Sequence, residues 1–145
     1  MTIETAPKVS RDEAPPLLPA ALIENDAQAL RAAHQVAKQA REGAARRDRE
    51  RLLPWRELEL FTRLGLGGIR IPRHYGGAEV SHVTLAEVFR IICAADPALG
   101  QIPQNQFGLL SVIDSVGSEA QKRKVYAGII DGRRLANAGL LHARR

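Results

Sequence analysis

Apolar residues recur at intervals of three and four through most of this chain, the signature of helices with one buried face. From about Ala20 to Leu53 the stripe is Leu22, Ile23, Ala27, Leu30, Ala33, Ala37, Ala40 and Ala44. It predicts one long helix whose alanine-rich face packs closely against another helix. Pro54 suits the first position of a second helix, where a missing N–H costs nothing. Trp55, Leu58, Phe61 and Leu64 mark its face, and Gly65 ends it as a left-handed cap. A third helix, from about 82 to 95, is apolar nearly all round (Leu85, Val88, Phe89, Ile91, Ile92), which predicts a central, buried element. Near its start Thr84 and Glu87 have capping-box spacing.

Asp96-Pro97 interrupts the pattern, and Leu99, Ile102, Leu109, Ile113 and Val116 stripe a fourth helix that either begins or kinks at Pro103. After Gly117, Ser118-Glu-Ala-Gln121 forms a capping box that opens a fifth helix with Val125, Tyr126, Ile129 and Ile130 on its face, ended by Asp131-Gly132. Arg133 onward reads as an extended exit. Residues 1–19 hold four prolines and no period, a flexible leader. The fold class is therefore all-α, with about five helices and no convincing strand pair.

The interruption between the second and third helices is distinctive. Leu64-Gly-Leu-Gly-Gly-Ile-Arg-Ile-Pro-Arg-His-Tyr-Gly-Gly77 carries three glycines in its first five residues and two at its end. Such backbone turns sharply or comes very close to a neighbour. The Gly-Ile-Arg-Ile-Pro stretch inside reads as an extended segment stopped by Pro72.

Composition adds bounds. The chain has 145 residues, 45% hydrophobic and 26% charged, enough for one domain with a core. Only six residues are aromatic, so Leu, Ile, Val and Ala must build that core. The single cysteine, Cys93, excludes an internal disulfide and lies in an apolar run, which predicts a buried small hydrophobe. No stretch approaches the roughly 20 apolar residues of a membrane span, and Glu4, Asp12 and Glu13 do not fit a signal peptide; a cytoplasmic location is expected. The net charge of +5 raises nucleic acid as a partner. Against it, Arg41 to Arg51 interleaves five arginines with three acids, which reads as a solvated helix face with local ion pairs. No aromatic stacking platform accompanies the basic residues. His34, His74, His82 and His142 lack metal-ligand spacing. The glycines at 65, 67 and 68 form neither G-x-G-x-x-G nor a P-loop.

The Leu64–Gly77 segment resembles the signature of the acyl-CoA dehydrogenase N-terminal helical domain. Two more elements follow in order. Ala94-Ala-Asp-Pro-Ala-Leu-Gly100 resembles the turn before that domain's inner helix, and Gly117-Ser-Glu-Ala-Gln-Lys122 the start of its last helix. The resemblance covers about 20 to 140. Gly100-Gln-Ile-Pro-Gln-Asn-Gln-Phe107 is similar to the SfnB-type sulfur-acquisition branch, related to dibenzothiophene monooxygenases. The resemblance implies a flavin cofactor, FAD or FMN, with reduced flavin and O₂ acting on a small organosulfur compound. Two alternatives stand beside it: a piece of a true acyl-CoA dehydrogenase acting on an acyl substrate, and a basic helical module binding nucleic acid or a partner protein. In full-length relatives a β-domain and a C-terminal four-helix domain follow, the flavin lies among all three, and the protein is a homo-oligomer. Here a helical domain of 20–138 passes into Gly-Leu-Leu-His-Ala-Arg-Arg, a divergent basic tail of 139–145, where relatives continue into a polar stretch that meets the flavin. The expectation is a truncated, frameshifted or split-gene product, inactive by itself, not holding flavin alone, and exposing apolar surface that its missing domains would cover.

The resemblance also implies site residues. Gln101 and Asn105 are four apart, share a helix face, and have Gly108 opening space beside them. They are candidate substrate-binding amides; helix capping near Pro103 or plain exposure explains the same residues. Asn137 aligns with an asparagine facing the reaction centre and is the candidate cofactor-binding residue, with a turn residue as the alternative. At Gln106 a histidine is common in the branch, and glutamine cannot shuttle a proton. Arg70 and Arg73, flanking Pro72, read either as grips for an anionic cofactor or as surface ion-pair partners.

Overall fold

Asn25 sets the start of the first helix: its side chain accepts from the Gln28 backbone N–H at 3.0 Å, satisfying one of the free donors of a helix N-terminus. The computed structural model describes residues 20–135. Within them lie six α-helices: α1 (Asp26–Arg41), α2 (Ala44–Glu50), α3 (Trp55–Arg63), α4 (His82–Ala95), α5 (Pro97–Val116) and α6 (Glu119–Ile130). Among the described residues there is no strand. The all-α expectation holds. The helix count rises by one because the long first pattern is two helices, broken at Gly43 and closed at Arg51, which takes a left-handed φ of 55°. It also starts later than the periodicity suggests. Ala20 to Asn25 is non-helical and anchored from outside, with the Ala21 N–H donating to the Arg63 carbonyl at 2.8 Å.

The buried stripe of α1 is Ala29, Ala32, Ala33, Val36, Ala37 and Ala40, while Leu22 and Ala27 are exposed. Five alanines and one valine let a second helix approach closely, and the helix that does so is α4, through Val88, Ile91, Ile92 and Ala95. Each fully buried Val or Ile in this seam contributes roughly 1.5–3 kcal/mol. The outer side of α4 is not covered. Val83 is 79% exposed, Leu85 and Phe89 are half-buried, and Cys93 is exposed, so α4 is amphipathic and not wrapped on all sides. Cys93 falls opposite the α1 seam, with its Sγ against the backbone of Gly100. The cap of α4 is Ser81, whose Oγ accepts from the Thr84 N–H at 3.0 Å, and not Thr84 itself.

In α3 the buried arc runs through Glu57, Leu58, Leu60 and Phe61 and leaves Trp55 outside, 63% exposed. With Leu52 and Leu53 it forms an exposed apolar knuckle between α2 and α3. Glu57 is buried for a reason the sequence hides. Arg47 of α2 turns inward, reaching Glu57 at 2.8 Å and Asp96 at 2.7 Å. The Arg41–Arg51 run is thus not wholly a solvated face.

The glycine-bracketed connector is core structure. It forms two 3-10 turns, Leu66–Gly68 and Arg73–Tyr75, in place of one extended run. Between and after them residues 69–71 and 78–80 fold back on each other, with Val80 N–H donating to the Ile69 carbonyl at 2.9 Å. Leu66, Ile69, Ile71 and Val80 are each 1% exposed or less. Two glycines make this possible. Gly65 takes φ +79° with the Ala21 carbonyl so close that a Cβ would sit 2.1 Å from its oxygen; at Gly77 a Cβ would lie 2.0 Å from the Ile71 oxygen.

α5 begins at Pro97, capped by Asp96, and runs through Pro103 without ending. α6 opens on the capping box read from the sequence, Ser118 with Gln121, and closes where Gly132 takes φ +87°.

Candidate functional site

The site candidates gather on α5 and on the segment that leaves α6. The buried side of α5 is Leu99, Gly100, Pro103, Gln106, Phe107 and Leu110. On a 3.6-residue helix the opposite side then holds Gln101, Asn105, Gly108 and Val112, and all four are exposed. Gln101 and Asn105 do share a face, as their spacing requires. A Cβ on Gly108 would meet nothing within 4 Å, so the space beside them is open.

Asn105 borders an open trough of about 570 Å³ between α4 and α5. Its floor is apolar, from Leu85, Phe89 and Phe107, and its rim carries Gln104, Asn105 and Ser111. Phe89 and Phe107 meet edge to face, ring centroids 5.5 Å apart, which stiffens the floor. Gln101 does not line this trough. Asn137 lies outside the described residues.

The approach to Asn137 is nevertheless fixed as far as Leu135. Arg134 donates through Nε to Thr62 Oγ1 at 2.7 Å and through Nη2 to Glu59 at 2.6 Å, binding the exit to α3. Leu135 donates its backbone N–H to Gln106 Oε1 at 3.2 Å, and the other end of the same carboxamide donates to the Gly67 carbonyl at 2.8 Å. Gln106 is 5% exposed. Composition and spacing did not mark it as a structural tie; the only hint was a polar residue one helical turn after Pro103, on the same side as Leu99 and Leu110.

The arginines beside Pro72 are not surface ion-pair partners among the described residues. Arg70 donates to the Val80 carbonyl and lies 3.3 Å from His82, while the backbone N–H of Arg73 donates to Glu79 at 3.2 Å. The Arg70 side chain thus braces the connector's own turn, and at Arg73 the backbone alone does so. His34, His74 and His82 are exposed, and no cluster of His, Cys, Asp or Glu suited to a metal occurs among the described residues.

Titration marks a different corner. Tyr126 is buried and hydrogen-bonded to Asp114 at 3.1 Å; burial first, then the carboxylate, pushes its phenol up to about 12. Tyr75, edge-on to Tyr126 at 4.9 Å, is raised by desolvation and by its bonds to Glu119. These shifts belong to the packing of α6 on the connector, away from Gln101 and Asn105.

Residues 24–133 match the family model described as "Acyl-CoA dehydrogenase, N-terminal domain". The chain belongs to that family. Similar proteins include the dibenzothiophene monooxygenases of Rhodococcus erythropolis and Rhodococcus qingshengii, each 33% identical over 97 residues, covering 67% of this chain and 23% of the relative. Among solved structures, FMN-bound TdsC from Paenibacillus sp. A11-2 is similar with a TM-score of 0.62 and 28% identity, covering 70% of this chain and 26% of that one. A complex of TdsC with FMN and indole matches equally. The chain therefore spans about a quarter of the length of these relatives. Its family, its helical fold and its kinship with flavin-dependent oxidoreductases of the acyl-CoA dehydrogenase superfamily agree with the resemblance carried by Leu64–Gly77. No helix of the described residues is long and apolar enough to cross a membrane.

The described residues fit one wall of a flavin site and not an enclosure. Two partly open recesses hold about 30 and 50 Å³, room for a water or two, against the roughly 300–1,000 Å³ of a ligand pocket, and the wider troughs lie open to solvent. The open face of α5 offers what a single wall needs: amide donors beside free space and an aromatic floor.

Proposed function

We propose that this chain is the N-terminal helical domain of a flavin-dependent monooxygenase that oxygenates a small organosulfur compound in sulfur acquisition. The reading rests on one observation: the chain is 33% identical over 97 residues to dibenzothiophene monooxygenases and resembles an FMN-bound structure, and its matched family domain, residues 24–133, includes the α5 amides. FMN is favoured over FAD by the same likeness. The reduced cofactor, when bound, supplies the electrons that activate O₂.

What this chain's own residues do is bind and orient. The carboxamides of Gln101 and Asn105 would each present an N–H₂ donor and a carbonyl acceptor to the cofactor or to the sulfur substrate. The Leu85–Phe89–Phe107 floor would seat an apolar ring and keep water from it. Asn137 would donate to an oxygen at the reaction centre, where a fixed amide stabilises developing negative charge. None of these groups moves a proton at neutral pH, and Gln106 cannot take that part, so acid–base work falls to other segments. We further propose that the remaining walls come from β- and C-terminal helical domains, that the assembled enzyme is a homo-oligomer in the cytoplasm, and that the chain alone is inactive.

A domain exchange tests this. Residues 20–138 replace the matching segment of the Rhodococcus erythropolis dibenzothiophene monooxygenase, and the chimera is supplied with reduced FMN, O₂ and dibenzothiophene. Formation of the sulfoxide is expected. A folded chimera that binds FMN but forms no sulfoxide would overturn the reading.

A further inference from the structure

Gln106 is a buried polar residue on an otherwise apolar helix side, and both ends of its carboxamide are used. Its two partners come from distant parts of the chain: Gly67 from the connector before α4, and Leu135 from the exit after α6. The Gly67 carbonyl can only accept and the Leu135 N–H can only donate, so the amide orientation is fixed by chemistry. Gly67 is what admits it, since a Cβ there would lie 2.6 Å from the amide nitrogen. The carboxamide thereby ties three elements at one point, one turn from Ile102 and directly behind the exposed face of Gln101 and Asn105.

We infer that Gln106 is a positioning residue for the candidate site. Its bond to Leu135 fixes the path of the chain out of α6 as far as that residue, and its bond to Gly67 holds the glycine turn against α5, behind the face that carries Gln101 and Asn105. This deepens the proposed function and rests on it for the role of Gln101 and Asn105, while the latch itself stands on the described geometry. The requirement is specific: one donor and one acceptor on the same short side chain. A glutamate would turn a second acceptor toward the Gly67 carbonyl. A methionine would fill the volume with neither. A neutral histidine supplies one of each.

Amide hydrogen exchange of the full chain tests it, with the Leu135 N–H as the reporter and the Ile92 N–H in the α1–α4 seam as the control. In the wild type the Leu135 amide is expected to exchange at least about tenfold more slowly than a free amide, the scale of one hydrogen bond. Gln106→Met should remove that protection and leave Ile92 unchanged. Gln106→His should restore it at about pH 8, where imidazole is neutral, and lose it at about pH 5, where both ring nitrogens donate. Arg133 and Arg134, the charged groups bordering the same cavity, hold such an imidazole toward its neutral form. Equal Leu135 protection in wild type and Gln106→Met would overturn the inference, as would an unprotected Leu135 in the wild type, a reading that needs no variant to fold. The measurement involves no flavin, so a latch that behaves as expected beside a chimera without sulfoxidation rejects the functional reading alone.

Discussion

Arg47 holds the residue that starts α5: its Nε and Nη2 lie 3.0 and 2.7 Å from one carboxylate oxygen of Asp96, whose other oxygen caps the Leu99 N–H at 3.2 Å. The same guanidinium reaches Glu57 at 2.8 Å and the Ala40 carbonyl at 2.5 Å. One side chain thus joins α1, α2, α3 and the α4–α5 corner. The side chains of Arg47, Glu57 and Asp96 are 11%, 9% and 5% exposed, so water cannot replace a lost partner.

Arg47→Met is therefore expected to cost about 3–5 kcal/mol, because it strands two buried carboxylates. Asp96→Asn should cost less, about 1–3 kcal/mol: asparagine is a good cap, and Glu57 still pairs the arginine. Urea denaturation checks both, through a lowered midpoint at unchanged slope. Equal losses would mean that the Arg47–Asp96 pair carries the corner and that the bond to Glu57 adds little.

The glycines separate by what surrounds them. Gly77→Ala forces a methyl onto the Ile71 carbonyl, backbone that cannot swing aside, and should cost about 1–3 kcal/mol or more. Gly108→Ala meets only open space and should stabilise α5 by about 0.5–1 kcal/mol, the ordinary helical preference for alanine over glycine. Thermal unfolding midpoints moving in opposite directions would bear this out. A stabilising Gly77→Ala would mean that the connector does not fold as described.

Much of this architecture is legible in the sequence because it depends on neighbours. Spacing alone finds the helices α3 to α6, the buried Leu58 and Phe61 of α3, the Ser118–Gln121 box and the turn at Gly65; in α5 it marks the wrong side, since Ile102 and Val116 are 37% and 80% exposed and Phe107 and Leu110 take the core. What spacing misses depends on distant partners. Arg47 reads as one of several surface arginines until α3 and α5 bring Glu57 and Asp96 to it. Cys93 and Trp55 read as core because periodicity marks which residues are apolar, not which side of a helix receives a neighbour. Gln101 and Asn105 are legible as a pair on one face; that the face points outward follows only from the packing of Gly100, Pro103 and Phe107.

Alkaline pH should unfold the chain through Tyr126. Its phenol is raised from 10.0 to about 12 by burial and by Asp114. The native state keeps a proton that the unfolded state releases, so this contribution is whole below about pH 10 and is lost as the pH rises toward 12. Stability measured against pH should fall over that window. Tyr126→Phe, which has no proton to lose there, should start lower at neutral pH by about 1 kcal/mol for the missing hydrogen bond and decline less. Parallel pH profiles for the two proteins would place the alkaline transition elsewhere.

The α5 amides should matter to turnover and not to folding. Gln101 and Asn105 are exposed and have no hydrogen-bonded side-chain partner among the described residues, so Gln101→Leu and Asn105→Leu should change stability by no more than about 0.5 kcal/mol. In the domain-exchange enzyme, each leucine removes a donor and an acceptor while keeping side-chain bulk. If the outward face of α5 meets cofactor or substrate, kcat/KM for sulfoxidation should fall by about tenfold or more, the scale of one lost hydrogen bond in a water-excluded site. A fall confined to KM would assign the amide to substrate binding, and one confined to kcat to the reacting oxygen. Asn105, at the rim of the aromatic-floored trough, is expected to show the larger effect, since Gln101 does not line that trough. Unchanged kinetics in both variants would leave the face as solvent-exposed helix surface and move the site to the segment after Leu135.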